Sequence, residues 1–164
     1  FPFKFKSFCY YNINKIKHVF NITKTKIQYL DNFNIELLKY HIDIAKGEID
    51  LFNEIYTKLN NTTNISVEII YDLIITRKLI LDRNNNIMVI NLSNNQLTGN
   101  IPESIGRLVK LNRLNLSNNK LKGNIPESIG HLEKLEELNL SNNQLTDNIP
   151  ESIIKLQNYS SFIF

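Results

Sequence analysis

A 24-residue unit occurs three times in succession in the second half of this 164-residue chain. The copies are INLSNNQLTGNIPESIGRLVKLNR from Ile90, LNLSNNKLKGNIPESIGHLEKLEE from Leu114 and LNLSNNQLTDNIPESIIKLQNYSS from Leu138. The first two copies agree at 17 of 24 positions. A fixed period of roughly 20 to 29 residues with apolar positions in register is typical of a solenoid, whose units close their core only against one another. Because such stacks form extended binding surfaces, the repeat favours a binding protein over an enzyme.

Each unit begins with apolar residues in the spacing L-x-x-L-x-L, as at Leu111, Leu114 and Leu116. The last two alternate as in a short strand, with Asn115 on the opposite face. Since each apolar position recurs one period away, stacked units place Leu on Leu in one continuous core. The spacing starts at Ile87 and returns at the chain's end, so residues 87–164 predict three full repeats and the start of a fourth.

Asn95, Asn119 and Asn143 occupy one column of the repeat. The chain leaves the strand there, and its backbone groups need partners that a sheet no longer provides. An amide side chain has two donors and an acceptor, so it can supply them within its own coil and the next. The abundance of Asn in this chain is the alternative explanation, but the fixed position beside a Leu favours a structural Asn ladder.

The spacing LxxLxLxxNxLxGxIPxxIGxL over residues 87–164 resembles the plant-specific class of leucine-rich repeats, best known from the outer domains of receptor-like kinases. The resemblance implies an α/β fold, a right-handed leucine-rich-repeat solenoid with a parallel β-sheet on its concave face. It also implies a ligand or partner surface on one side of the arc. The third unit departs from the pattern twice, since Asp147 and Ile154 stand where the other units have glycine.

The cysteine content departs from those outer domains, which usually have paired cysteines in flanking caps. Cys9 is the single cysteine of this chain, so no intramolecular disulfide can form, which favours a reducing, cytoplasmic location. The start of the chain has no apolar run of signal-peptide or membrane-spanning length. An extracellular or membrane-anchored location is expected instead if the chain is part of a larger receptor. Because it opens with Phe1, we expect a fragment.

Residues 31–86 predict a helical N-terminal cap with helices at about 34–59 and 66–81. From Ile35 to Leu59 apolar residues recur at alternating spacings of three and four, which is one helix face. That face indicates either a coiled coil joining two chains or a cap over the open end of the solenoid. Its shortness and the internal Gly47 favour the cap and a monomer.

Apart from the repeat pattern, the sequence has few groups that could take part in catalysis, in metal binding or in binding of nucleic acid. Residues 1–30 have six lysines and no acidic residue, and their fold stays uncertain. Nucleic acid or anionic lipid can attract such a segment, but a solvated face is the commoner outcome, so we expect neither as a partner. Cys9, His18, His41 and His131 form no nucleophile, phosphate-loop or metal-ligand spacing. We therefore expect no catalytic residue, no metal and no cofactor.

The sequence thus predicts a non-catalytic module that binds a protein partner through its concave face. The alternative is the ligand-sensing portion of a larger receptor-like kinase, or of another enzyme whose catalytic domain lies outside these residues. Positions beside the core Leu residues are the predicted contacts: Met88, Val89, Asn91, Asn112, Arg113, Asn115, Glu136, Glu137 and Asn139. Arg113 and Glu137 lie one period apart, within reach of an ion pair. A ridge of Arg107, His131 and Lys155 on the back is the second candidate surface.

Overall fold

The computed structural model describes residues 45–156 and 161–164, apart from residues 64, 66 and 147. Expectations for residues 1–30, for the start of the first helix and for Cys9, His18 and His41 lie outside this part of the chain. The described elements run from two helices through an antiparallel strand into the repeats.

Two helices precede the repeats, α1 at Lys46–Asn60 and α2 at Val67–Ile75. Helix α1 ends in a left-handed residue, Asn61, whose backbone N–H donates to the carbonyl of Thr57. Helix α2 ends earlier than predicted, and the extension of this helix to residue 81 is wrong. Leu79–Leu81 instead forms a strand, β1, because its backbone pairs with the first repeat strand and this pairing overrides the helical apolar pattern.

A five-stranded sheet in the order β1-β2-β3-β5-β7 unites the repeats. Its repeat strands are β2 at Ile87–Asn91, β3 at Arg113–Asn115, β5 at Glu137–Asn139 and β7 at Ser161–Ile163. They pair in parallel with a shift of one period, so that Ile90 lies beside Leu114 and Leu114 beside Leu138. Strand β1 pairs antiparallel with β2 at the other edge.

Each repeat continues from its strand into a short second strand or bridge and then a helical turn. The second strands β4, Lys122–Gly123, and β6, Gln144–Leu145, form a small parallel sheet. Two 3-10 helices, Glu103–Arg107 and Glu127–His131, occupy the back of the first two units. The third unit has an α-helix there, α3 at Glu151–Leu156.

The repeated apolar residues are buried in one core that continues into α1 and α2. Leu114, Leu121 and Leu138 are at most 1% exposed, as are their equivalents in the first unit. Removing this much apolar surface from water is the main driving force for the stack. The predicted leucine-rich-repeat solenoid with its parallel sheet is confirmed.

Helix α1 lies directly against the first repeat. A Cβ atom on Gly99 would overlap the carbonyl oxygen of Lys58, so only glycine permits this approach. The Gly99 N–H donates to the carbonyl of Leu59 at 2.9 Å, and the Ile87 N–H donates to the Glu48 carboxylate at 3.1 Å. These contacts support the proposal that residues 31–86 cap the first repeat.

The second glycine column sets how closely neighbouring units approach at the back. A Cβ atom on Gly106 would overlap the backbone of Ser128, and one on Gly130 would overlap Ser152. Ile154 holds the same position in the third unit and is half exposed. Glycine is therefore required where a following serine contacts the helical turn.

Candidate functional site

The outward side of the sheet brings the predicted contact residues together. Register places Val89 beside Arg113, and Arg113 beside Glu137. Because strand side chains alternate, Val89, Arg113 and Glu137 lie on the side opposite the buried Ile90 and its equivalents, and the Asn residue two positions after each lies on that side with it. The residue before each of the three is half-buried or exposed and borders the same surface. We call this surface the strand face, and it comprises Ile80, Met88, Val89, Asn91, Asn112, Arg113, Asn115, Glu136, Glu137 and Asn139.

Charge on the strand face is concentrated on β3 and β5. Arg113 Nε and Glu137 Oε1 are 3.4 Å apart, as their spacing of one period predicts, and both side chains are about half exposed. An ion pair this exposed adds about 0–1 kcal/mol to stability. Glu136 is also exposed. The three side chains sum to one negative charge, and their exposure makes them available to a partner.

The opposite end of the strand face is apolar. Ile80 of β1 lies beside Val89 in the sheet and is 38% exposed, whereas Met88 and Val89 are half-buried. Sequence reasoning missed Ile80 because residues 66–81 matched a helix. Leu79, Ile80 and Leu81 are three consecutive apolar residues ahead of a polar turn, a pattern that fits a strand and a helix equally, so no local signal could have identified the strand.

The asparagine side chains at the centre of the strand face already form hydrogen bonds within the chain itself. Asn115 Oδ1 accepts hydrogen bonds from the N–H and the hydroxyl of Ser117, at 3.0 and 2.8 Å. Asn91 and Asn139 make the same pair of bonds to the serine two residues on. These side chains therefore shape the turn that follows each strand, and their oxygens are already engaged.

Asn119 occupies the centre of the predicted ladder and is 8% exposed. Its Oδ1 accepts from the N–H groups of Asn95 and Leu97, both at 3.0 Å, in the preceding unit. Its Nδ2 donates to the carbonyls of Leu92 and Leu116, at 2.9 and 2.8 Å. One side chain thus joins backbone groups of two consecutive units.

The other two ladder members make fewer bonds. Asn143 repeats the pattern, since its Oδ1 accepts from the Leu121 N–H and its Nδ2 donates to the carbonyls of Leu116 and Leu140. The Nδ2 of Asn95 donates to the Ser93 carbonyl within its own unit. Both side chains are half-buried, so we expect them to contribute less than Asn119.

A second set of bonds between units, which sequence reasoning missed, lies at the back. Glu103 accepts from the Ser128 N–H at 3.2 Å, and Glu127 accepts from the Ser152 hydroxyl at 2.8 Å. The signal is the E-S pair in each copy of N-I-P-E-S-I. These bonds hold consecutive helical turns together and leave less carboxylate surface for a partner.

The predicted back ridge is largely engaged by the chain's own acids. Arg107 Nη1 is 3.4 Å from Oε2 of Glu54 in α1. Lys155 Nζ is 3.2 Å from Oε1 of Glu151, one helical turn earlier. His131 is exposed. Two of the three ridge side chains thus have acidic partners, as Arg113 has on the strand face, so ion pairing alone does not separate the two surfaces and the ridge stays the second candidate.

A hairpin loop between β1 and β2 contains one carboxyl with a shifted pKa. Desolvation raises the pKa of Asp82, but hydrogen bonds from the Asn86 side chain and from the N–H groups of Asn86 and Asn84 outweigh it, with Lys110 assisting. The net pKa lies below the ordinary value for Asp. This carboxylate therefore stabilises the loop as an ion, and every bond that it makes is structural.

Two other classes of site are absent from the part of the chain that the structure describes. No group of three or more His, Cys, Asp or Glu residues in this part of the chain is arranged to hold a metal ion. None of the helices that the structure describes is both long enough and apolar enough to span a membrane.

Comparison with known proteins relates the repeats to one family and one fold. The family profile described as leucine rich repeat matches residues 85–145. The ectodomain of the receptor kinase SOBIR1 from Arabidopsis thaliana superposes with a TM-score of 0.55 at 24% identity, over 66% of this chain and 60% of that one. A search of curated protein sequences gives no significant match.

Two further solved structures share shorter or looser similarity. The ectodomain of the Arabidopsis thaliana membrane receptor kinase GASSHO1/SCHENGEN3, in complex with CASPARIAN STRIP INTEGRITY FACTOR 2, is 41% identical with a TM-score of 0.39, over 44% of this chain and 8% of that one. The BIR3–SERK2 complex from the same plant gives 24% identity and a TM-score of 0.38, over 71% and 74% of the two chains.

Proposed function

We propose that this chain, whose residues 85–145 match the leucine rich repeat profile, is a non-catalytic module that binds a protein partner through its strand face. The observation that carries the proposal is that the constant and the variable positions of the repeat have different roles. The constant Asn115 and Asn119 side chains form hydrogen bonds with the chain's own backbone. The positions that vary, at β2, β3 and β5, are exposed or half-exposed and differ in chemistry from one strand to the next.

The partner's protein nature follows from the form of this surface. The strand face is open and formed by one or two residues from each strand, and it lacks the enclosed shape that a small molecule needs. Mixed apolar and charged side chains on such a surface suit another polypeptide, with complementary charge providing specificity. The chain acts in this proposal as a monomer, with α1 and α2 covering the first repeat.

A second candidate is the ligand-sensing portion of a larger receptor-like kinase. It is favoured by the SOBIR1 likeness, since that solved structure is the ectodomain of a receptor kinase. In that case the chain lies outside the cell, whereas Cys9 alone favours a reducing compartment. Sequence on both sides of the present residues separates the candidates, because a spanning helix followed by a kinase domain would establish the second.

The binding proposal is tested by selecting random peptides from a display library on the full chain. Each clone is then measured against the variant R113E/E136K/E137K and against the control E133K/K134E/E151K, which makes the same charge changes away from the strand face. We expect the first variant to lose the clones and the control to keep them, while both melt with the parent. Clones that bind the strand-face variant as tightly as they bind the parent would refute the proposal.

A further inference from the structure

We propose that the strand face recognises an extended segment with an apolar side chain at one position and a lysine or arginine four residues later. This inference rests on the proposed function and specifies its partner. The segment lies across the strands, from the apolar end at β1 and β2 to the acidic end at β5. It contacts the surface through every second side chain, since extended chains alternate their side chains.

The apolar end is formed by two adjacent strands of opposite direction. Ile80 and Val89 are paired in the register of β1 and β2, and Met88 precedes Val89. Ile80 is 38% exposed, one of the few large apolar side chains of the described residues with that much contact with water. An apolar side chain placed on Ile80 and Val89 removes both surfaces from water, which favours binding in proportion to the area covered.

The acidic end selects a cation. Glu136 and Glu137 are adjacent and exposed, and Arg113 offsets one of their charges through its contact with Glu137. Glu133 and Lys134, on the turn before β5, cancel each other. One negative charge therefore remains at this end. A basic side chain satisfies it, and an acidic one is repelled, so charge complementarity fixes the direction in which the segment lies.

The distance between the two ends fixes the spacing of four residues. Neighbouring strands lie about 4.8 Å apart, so about 12 Å separates the middle of the Ile80–Val89 pair from Glu137, two and a half strands away. An extended segment rises about 3.3 Å per residue, so four residues span about 13 Å and return to the same side. Two residues reach only about 7 Å, to Arg113, where an acidic or small side chain fits.

The display selection distinguishes this inference from the proposed function. If clones depend on the strand face and share the apolar–basic spacing of four, both stand. If they depend on the strand face but lack that spacing, the inference is wrong and the proposed function survives. If no clone depends on the strand face, the proposed function fails first.

Synthetic peptides provide the direct measurement. The probe is a fluorescent nine-residue peptide with isoleucine third, lysine seventh and serine elsewhere. Comparators move the lysine to the fifth or eighth position or replace it by glutamate. We expect the probe to bind the full chain about fivefold more tightly than each comparator, the scale of one exposed ion pair. Equal affinity for the shifted peptides would overturn the spacing.

Charge reversal gives a gain of binding that misfolding cannot imitate. The variant E136R/E137R should lose the lysine peptide about fivefold and gain the glutamate peptide by a similar factor. The control D50R/E151R has the same net charge, changes exposed residues of α1 and α3 away from the acidic end, and should behave as the parent. I80S should weaken both peptides. Unchanged peptide preference in E136R/E137R overturns the inference, as does self-association of the parent that this variant abolishes, since the strand face would then bind a second copy.

Discussion

Replacing Asn119 by Ala removes the side chain that joins the first and second repeats. The N–H groups of Asn95 and Leu97 lose their acceptor, and the Leu92 carbonyl loses its donor. The Leu116 carbonyl keeps a bond from Asn143 at 3.0 Å. Three backbone groups are therefore left to find new partners.

The resulting loss in the free energy of unfolding depends on how far water reaches those three backbone groups. A buried polar group without a partner costs about 1–3 kcal/mol. Leu97 is fully buried, so its N–H bears the full penalty, whereas the half-buried Asn95 can recover part of its loss from water. We expect Asn119→Ala to lower the free energy of unfolding by about 3 kcal/mol, or the melting temperature by about 6–12 °C in a chain of this size.

Urea unfolding followed by circular dichroism measures the loss, and thermal melting provides a second measure. Asn143→Ala should lose less, because the side chain is half-buried. Asn148→Ala is the matched control, since this asparagine is exposed, and its effect should stay within about 0.5 kcal/mol. If Asn119→Ala unfolds together with the parent, the ladder has no role in holding the units together.

Three other perturbations test the rest of the molecule. Gly99→Ala should destabilise the chain by about 2 kcal/mol or more in urea, because its Cβ atom meets the Lys58 carbonyl, whereas Gly47→Ala, which meets open space within α1, should gain up to about 1 kcal/mol. Residues 87–164 alone should aggregate or melt far below the intact chain, and a monomeric, cooperative transition of that piece would contradict the capping role of α1 and α2. Since the pKa of Asp82 is lowered on folding, its stabilisation is present above the ordinary Asp pKa and is lost as pH falls through the folded value. The urea midpoint of Asp82→Asn should therefore fall less than that of the parent between pH 6 and pH 3, and parallel losses would argue against the loop bonds.

The periodic half of the fold was predictable because each of its residues obeys one rule repeated at a fixed interval. Leu114 is buried for the same reason as Ile90 and Leu138, and the shift of 24 residues between paired strands follows directly. The Arg113–Glu137 pair was predictable on the same basis, since register alone brings two residues one period apart into contact.

Structural features that occur only once in the described residues could not be predicted from the repeat. Strand β1 at Leu79–Leu81 owes its existence to the free edge of β2, and nothing local distinguishes its apolar run from a helix face. The ion pair between Arg107 and Glu54 depends on how α1 lies against the first repeat, a contact between residues far apart in the chain. Ile80 was missed with β1, so the apolar end of the candidate site became visible only in the structure.

The in-register parallel pairing of the repeat strands has a genetic consequence. Inserting one more 24-residue copy between β3 and β5 would lengthen the sheet by one strand spacing, about 4.8 Å, and leave every existing side chain unchanged. Val89 and Glu137 would then lie about 14 Å apart, and a partner matched to the present distance would no longer reach both. Because adjacent copies share 17 and 14 of their 24 positions, unequal recombination between them can add or remove a unit in one event. Specificity in such a protein can therefore change through copy number, without a single amino-acid substitution.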